Sequence, residues 1–235
     1  MKVLISDKMD ERCVDILENN KGVTVDVKTG LCSQELIEII NDYDALIVRS
    51  ATEVSEHVLK VASKLKVVGR AGAGVDNIDI NAATRGGVIV MNTPGGNSVS
   101  TAEHSFAMIM ALARNIPQGC ATLKDGLWER GKLTGVELRG KTLGILGLGK
   151  VGSEVALRAN AFGVKVLAYD PMVSSEFAES HGVGLAEPSD IYKEADFITV
   201  HLPLISQTRH MISDDQILSC KKGVFFVNCA RGGII

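Results

Sequence analysis

The chain has 235 residues, 46% apolar and 23% charged, an ordinary globular composition sufficient for one large or two modest domains. Its net charge of −3 leaves no basic excess for nucleic acid, and no stretch approaches the roughly 18 apolar residues of a membrane span. Cysteines at 13, 32, 120, 220 and 229 are odd in number and lack CxxC spacing. This reads as reduced thiols in a cytoplasmic protein without a metal site.

The N-terminal "MKVLISDKMDE" carries an apolar run too short for a secretion signal. Strands are expected at "KVLIS" (2–6), "VTVDV" (23–27), "DALIVR" (44–49), "LKVVGR" (65–70) and "GVIVMN" (87–92), with helices near 10–19, 33–41, 55–63 and 79–85. The strands are continuously apolar rather than alternating, as in a parallel sheet covered by helices on both faces. Pro94-Gly95-Gly96-Asn97 then reads as a linker, placing a domain boundary near residue 95. Ser100 and Glu103 are spaced as a capping box opening a long apolar helix that ends near Asn115 and Pro117. A second helical stretch contains the only tryptophan, Trp128. Strand–helix alternation resumes with strands at 141–147, 164–170, 196–202 and 223–229 and helices at 150–162 and 190–195. The expected fold is α/β, with two Rossmann- or flavodoxin-like parallel-sheet domains at 1–94 and 95–235.

"GLGKVG" matches GxGxxG through Gly147, Gly149 and Gly152. In a sequence with 24 glycines the match alone is weak. Its setting is specific: it follows a strand, opens a helix, and is followed by an acid, Asp170, at the end of the next strand. Gly147 allows the tight turn, Gly149 a close backbone approach to a pyrophosphate, and Gly152 close packing of helix on strand. The helix N-terminus favours phosphate. A carboxylate at Asp170 suits the adenosine ribose hydroxyls and repels a 2′-phosphate, which favours NAD over NADP. Arg231, just past the last strand, could grip a carboxylate in two parallel hydrogen bonds; an arginine in a surface turn, paired with an acid, fits the residues equally well. Arg49-Ser50 and Gly72-Ala73-Gly74-Val75 likewise follow strands, and the glycines could turn backbone N–H groups toward an anion. Arg70, on the same loop, suits a substrate contact or a salt bridge.

The strings "GRAGAGVDNID", "NTPGGNSVSTAEH", "LGILGLGKVG", "YDP", "TVHLPL" and "NCARGG" occur in this order. Together they resemble the D-isomer-specific 2-hydroxyacid dehydrogenase family over essentially the whole chain. "KDGLWER" and "NCARGGII" lean toward its animal-type branch that oxidises 3-phosphoglycerate with NAD. The resemblance implies a substrate domain in 1–94 and an NAD-binding domain in 95–235. It places Lys150 and Val151 on the pyrophosphate, Asp170 on the ribose, and Leu202, Cys229, Ala230 and Arg231 beside the nicotinamide. Ala73 matches a position that touches the cofactor and often carries threonine, so a side-chain hydrogen bond there is lost, as at Leu202. Arg231 is expected to orient the substrate, Arg49 to meet its phosphate, and the 72–75 loop to meet its carboxylate. A histidine base and its glutamate follow the "ARGG" motif in the family, so the sequence is expected to be a fragment or short isoform with both domains incomplete. Alternatives of the same ancestry are a glyoxylate or hydroxypyruvate reductase and an NAD-responsive interaction module. A homodimer or homotetramer is implied, through the long helix bearing Phe106, Met108, Ile109, Met110 and Leu112.

Overall fold

Each apolar run in the sequence becomes a short parallel strand. The computed structural model describes residues 1–235 and divides into two compact units, Met1–Asn97 and Ser98–Ile235. The first contains β1 (Lys2–Ile5), α1 (Glu11–Glu18), β2 (Thr24–Val27), α2 (Ser33–Ile39), β3 (Ala45–Val48), α3 (Glu56–Val61), β4 (Val67–Arg70), α4 (Ile80–Arg85) and β5 (Ile89–Asn92). Its strand order is β2-β1-β3-β4-β5, every pair parallel. Burial follows position in the sheet. Leu46 and Val48 in β3 and Val68 in β4 are fully enclosed, whereas Val27, Ile89 and Met91 on the edge strands are exposed. The continuous apolar pattern therefore marks a two-sided core only for interior strands.

The second unit contains α5 (Ser98–Ala113), α6 (Ile116–Lys124), β6 (Thr142–Leu146), α7 (Lys150–Ala161), β7 (Lys165–Tyr169), α8 (Ser175–Ser180), β8 (Gly184–Leu185), α9 (Pro188–Glu194), β9 (Phe197–Val200), α10 (Asp214–Ser219) and β10 (Phe225–Asn228). The order is β10-β9-β6-β7-β8, again all parallel. Ala102, Phe106, Ile109 and Ala113 recur at intervals of four, three and four on α5. They bury one stripe against Val155, Ala156 and Ala159 of α7. Arg158 fastens the same pair, bonding Glu154 within α7 and Glu103 on α5.

Two local expectations are corrected and one is refined. The long helix begins at Ser98, so Ser100 lies inside its first turn and cannot be its cap, and Glu103 faces Arg158. Asn115 adopts φ 52° and Pro117 falls in the first turn of α6, where proline's missing N–H costs nothing; the two residues start a helix as well as follow one. That helix stops at Lys124, leaving Trp128 outside it and 74% exposed. α8, β8 and α10 were not foreseen; each is six residues or fewer, too short to show a period. No helix is long and apolar enough to cross a membrane.

Candidate functional site

In the second unit the strand order reverses beside β6: β7 and β8 lie to one side, β9 and β10 to the other. Parallel strands end at the same edge, so Gly147, Asp170, Leu202 and the segment Cys229–Arg231 all follow C-terminal strand ends. A reversal point at that edge is where open α/β sheets bind ligands.

The glycine loop meets each expected demand. Gly147 has φ +101°, and a Cβ there would lie 2.7 Å from the His201 carbonyl oxygen and 3.1 Å from Leu202 Cδ2; only glycine fits between the loop and the end of β9. A Cβ on Gly152 would come within 2.1 Å of the Gly147 carbonyl oxygen, so the helix packs against the turn as closely as backbone allows. Gly149 has nothing within 4 Å of its missing Cβ and contributes no capping side chain to α7. The loop thus offers open space directly in front of a twelve-residue helix N-terminus. That arrangement fits a pyrophosphate.

Asp170 is integrated into this loop. Its Oδ2 accepts from Leu148 N at 2.9 Å and its Oδ1 from Met172 N at 2.9 Å. Ser153 Oγ donates to the Leu148 carbonyl at 3.1 Å, closing the turn onto α7. The carboxylate is held in place by backbone, with lone pairs remaining on each oxygen. His201 sits at the end of β9, its Nε2 3.0 Å from Thr199 Oγ1. Burial pushes its imidazole down to about 4, so it is neutral at physiological pH.

Arg231 lies in a turn built by Asn228. Asn228 Oδ1 accepts from Ala230 N at 3.0 Å, while Nδ2 donates to the Arg231 carbonyl at 2.8 Å. Arg231 Nη1 donates to the Ala230 carbonyl at 2.9 Å. The turn is braced from behind, because Ile234 is fully buried and its carbonyl accepts from Ile212 N at 3.1 Å.

The first unit has its own reversal point, between β1 and β3. Asp7 follows β1 and receives Thr52 Oγ1 at 2.7 Å, Thr52 N at 3.1 Å and Arg49 N at 2.5 Å. Burial pushes this carboxyl up, but the Thr52 hydroxyl and the N–H groups of Arg49, Thr52 and Ala51 outweigh it and hold the group below the usual range. Arg49 Nη1 donates to the Lys8 carbonyl at 3.1 Å, and Arg49 and Ser50 are exposed. Arg70 donates through Nε to Asn77 Oδ1 at 2.7 Å, which is neither an ion pair nor a free guanidinium. The Gly72 N–H does not face outward; it donates to the Arg70 carbonyl at 2.9 Å, and the Gly72 carbonyl accepts from Thr93 N. The Ala73 carbonyl accepts from Asn92 Nδ2 at 2.7 Å. Ala73, Gly74 and Val75 are half-buried on a loop fixed at its base by these bonds.

Sequence reasoning missed Asp7, Asn77, Asn92 and Asn228. Asp7, Asn92 and Asn228 stand at or within two residues of a strand's C-terminal end, where short polar side chains commonly bond backbone. Asn77 lies well beyond β4, and the bonds of Asp7, Asn77 and Asn92 reach partners distant in sequence. No group of three His, Cys, Asp or Glu side chains converges to hold a metal ion.

Two parallel sheets, one with a glycine-rich turn, an opposing helix N-terminus and an acid on the next strand, define a dinucleotide-binding α/β protein. Residues 106–235 match the family model described as D-isomer specific 2-hydroxyacid dehydrogenase, NAD binding domain. The chain belongs to that family. It is 54% identical over 234 residues to D-3-phosphoglycerate dehydrogenase of Homo sapiens and 50% identical over 235 residues to that of Archaeoglobus fulgidus. In both cases the match covers 100% of this chain and 44% of the relative, so the chain spans less than half the length of these curated relatives. Among solved structures it resembles the NAD⁺-bound 3-phosphoglycerate dehydrogenase of Entamoeba histolytica (TM-score 0.83, 33% identity, 100% of this chain and 73% of that one). It also resembles D-lactate dehydrogenase of Aquifex aeolicus complexed with NAD and lactic acid (TM-score 0.85, 29% identity, 99% and 70%).

Proposed function

We propose that this chain carries the cofactor-binding and substrate-holding residues of an NAD-dependent oxidoreductase that converts 3-phospho-D-glycerate to 3-phosphohydroxypyruvate, the first step of L-serine biosynthesis. The observation that carries the reading is the glycine loop: open space at Gly149 in front of α7, with Asp170 bonded into the same turn. The substrate assignment is supported by relatives at 50–54% identity named for that activity.

When bound, NAD⁺ supplies the acceptor for the hydrogen leaving the substrate's C2. The residues of the chain bind and orient. The α7 N-terminus and Gly149 take the pyrophosphate, with Lys150 and Val151 in that first turn, and Asp170 takes the ribose hydroxyls. Leu202, Cys229 and Ala230 serve the nicotinamide side. Arg231, fixed by the Asn228 turn, grips the substrate carboxylate and polarises the 2-oxygen beside it. In the first unit Arg49, Ser50, Arg70 and the 72–75 loop hold the substrate's anionic groups, and Ala73 takes its family position beside the cofactor. A second copy of the chain is the proposed partner, through the second unit. Met108, Ile116, Leu123, Leu127 and Trp128 present large exposed apolar surface along α5, α6 and the segment after them, as an intersubunit face does. The five free cysteines suit the cytoplasm.

The test is NADH and NADPH binding to this chain, followed by nicotinamide fluorescence, and NADH oxidation by phosphohydroxypyruvate in this chain and in one extended to the length of its relatives. Preferential NADH binding, and turnover that prefers phosphohydroxypyruvate over glyoxylate until Arg49→Ala removes the preference, are expected. Tighter NADPH binding, or equal use of both oxo acids before the substitution, overturns the reading.

A further inference from the structure

Asn77 bonds through its side-chain amide to Arg70, Arg49 and Thr52, joining two of the first unit's arginines. Its Oδ1 accepts from Arg70 Nε at 2.7 Å, and its Nδ2 donates to the carbonyls of Arg49 at 2.8 Å and Thr52 at 2.6 Å. Only one amide orientation satisfies these partners, because Arg70 Nε–H can only donate and the two carbonyls can only accept. The backbone of Asn77 is fixed as well: its carbonyl accepts from Val54 N at 2.8 Å, beside the bridge between Val54 and Ile78. On the other flank Asp7 grips the N–H groups of Arg49 and Thr52. The guanidinium of Arg70 extends over Gly72, where a Cβ would lie 2.7 Å from Nη1. Asn77 therefore bonds the side chain of one arginine and the backbone carbonyl of the other, while Asp7 holds the second arginine's N–H.

We propose that Asn77 is the positioning residue of an anion site in the first unit, holding Arg70 by its side chain and Arg49 by its backbone so that both are placed before a small phosphorylated acid arrives. This rests on the reading of Arg49 and Arg70 as substrate-holding residues. The physical gain is preorganisation. An arginine ordered only on binding weakens affinity by about two- to tenfold. The bond to Asn77 uses only Nε and leaves the end-on pair of terminal nitrogens, a fork that can meet a phosphate or carboxylate.

The experiment is a titration of the 235-residue chain with 3-phosphoglycerate, using Asn77→Ala, Arg70→Lys, the double variant and Arg49→Ala. Asn77→Ala is expected to raise Kd about tenfold, and by less than about threefold in the Arg70→Lys background, because lysine has no Nε–H to be held. Equal effects in both backgrounds would show that Asn77 only braces the fold, and would overturn the proposal. If neither arginine substitution changes binding, the substrate reading fails first. If the arginines matter and Asn77 does not, only this inference fails. Should Asn77→Ala not fold, as judged by circular dichroism, the unsubstituted chain decides through the 15N signal of Arg70 Nε–H. Slow exchange with water that 3-phosphoglycerate leaves unchanged is expected; exchange as fast as in free arginine overturns the proposal.

Discussion

Gly152 and Gly149 lie three residues apart in one motif, and the structure predicts opposite consequences for changing them to alanine. At Gly152 the new methyl would sit 2.1 Å from the Gly147 carbonyl oxygen, 3.1 Å from its carbon and 3.3 Å from Ile145 Cγ2. A tolerable carbon–oxygen contact is about 3.3 Å, so α7 and the loop must separate by about 1.2 Å. The obstructing atoms are backbone and cannot rotate away. Overpacking of this kind costs about 1–3 kcal/mol, and the displaced helix also loses its aim at the pyrophosphate. At Gly149 the backbone is extended, φ −72° and ψ −158°, and nothing lies within 4 Å. Alanine there changes stability by less than about 1 kcal/mol, because restriction of the unfolded chain is opposed by the preference for glycine over alanine at this helix N-cap. The methyl nevertheless projects into the space a pyrophosphate would use, so NADH binding should weaken by at least about tenfold, or about 1.4 kcal/mol. Urea denaturation and NADH fluorescence titration of both variants provide the assay. Gly149→Ala that binds NADH normally would refute the phosphate-cradle reasoning. Gly152→Ala with unchanged stability would refute the packing argument.

Two further outcomes are expected. Asp170→Asn should lower NADH affinity about tenfold or more, through loss of charge-assisted bonds to the ribose, and narrow the preference over NADPH; fluorescence titration with both nucleotides measures it, and an unchanged ratio counts against Asp170 as the discriminating group. His201 has a folded pKa of about 4, below the ordinary histidine range, so between about pH 6.5 and 4 the unfolded chain binds the extra proton. Stability is therefore full above pH 6.5 and falls with decreasing pH through that window, by up to about 1.4 kcal/mol per unit. His201→Gln should remove that part of the slope in urea denaturation at several pH values, and an identical slope would show the ring to be accessible when folded.

The sequence by itself determined the parts of this protein that depend on local chemistry. Nine apolar runs gave the parallel strands, since burial on both faces demands unbroken apolar sequence. The turn of Gly147, Gly149 and Gly152, with Asp170 after the next strand, was legible because a tight turn, an open approach and a close packing each need glycine at a set spacing. α8, β8 and α10 were not legible, being too short for a hydrophobic period to register. Ser100 misled because its spacing to Glu103 fits a capping box, while the helix already begins at Ser98. Only the tertiary structure decided how the site residues are held. Asp7 joins Arg49 and Thr52 across 42 and 45 residues of sequence, and Asn77 reaches Arg49 across 28. Such bonds carry no local signature, because they exist only once β1, β3 and β4 lie side by side and bring their C-terminal ends to one edge.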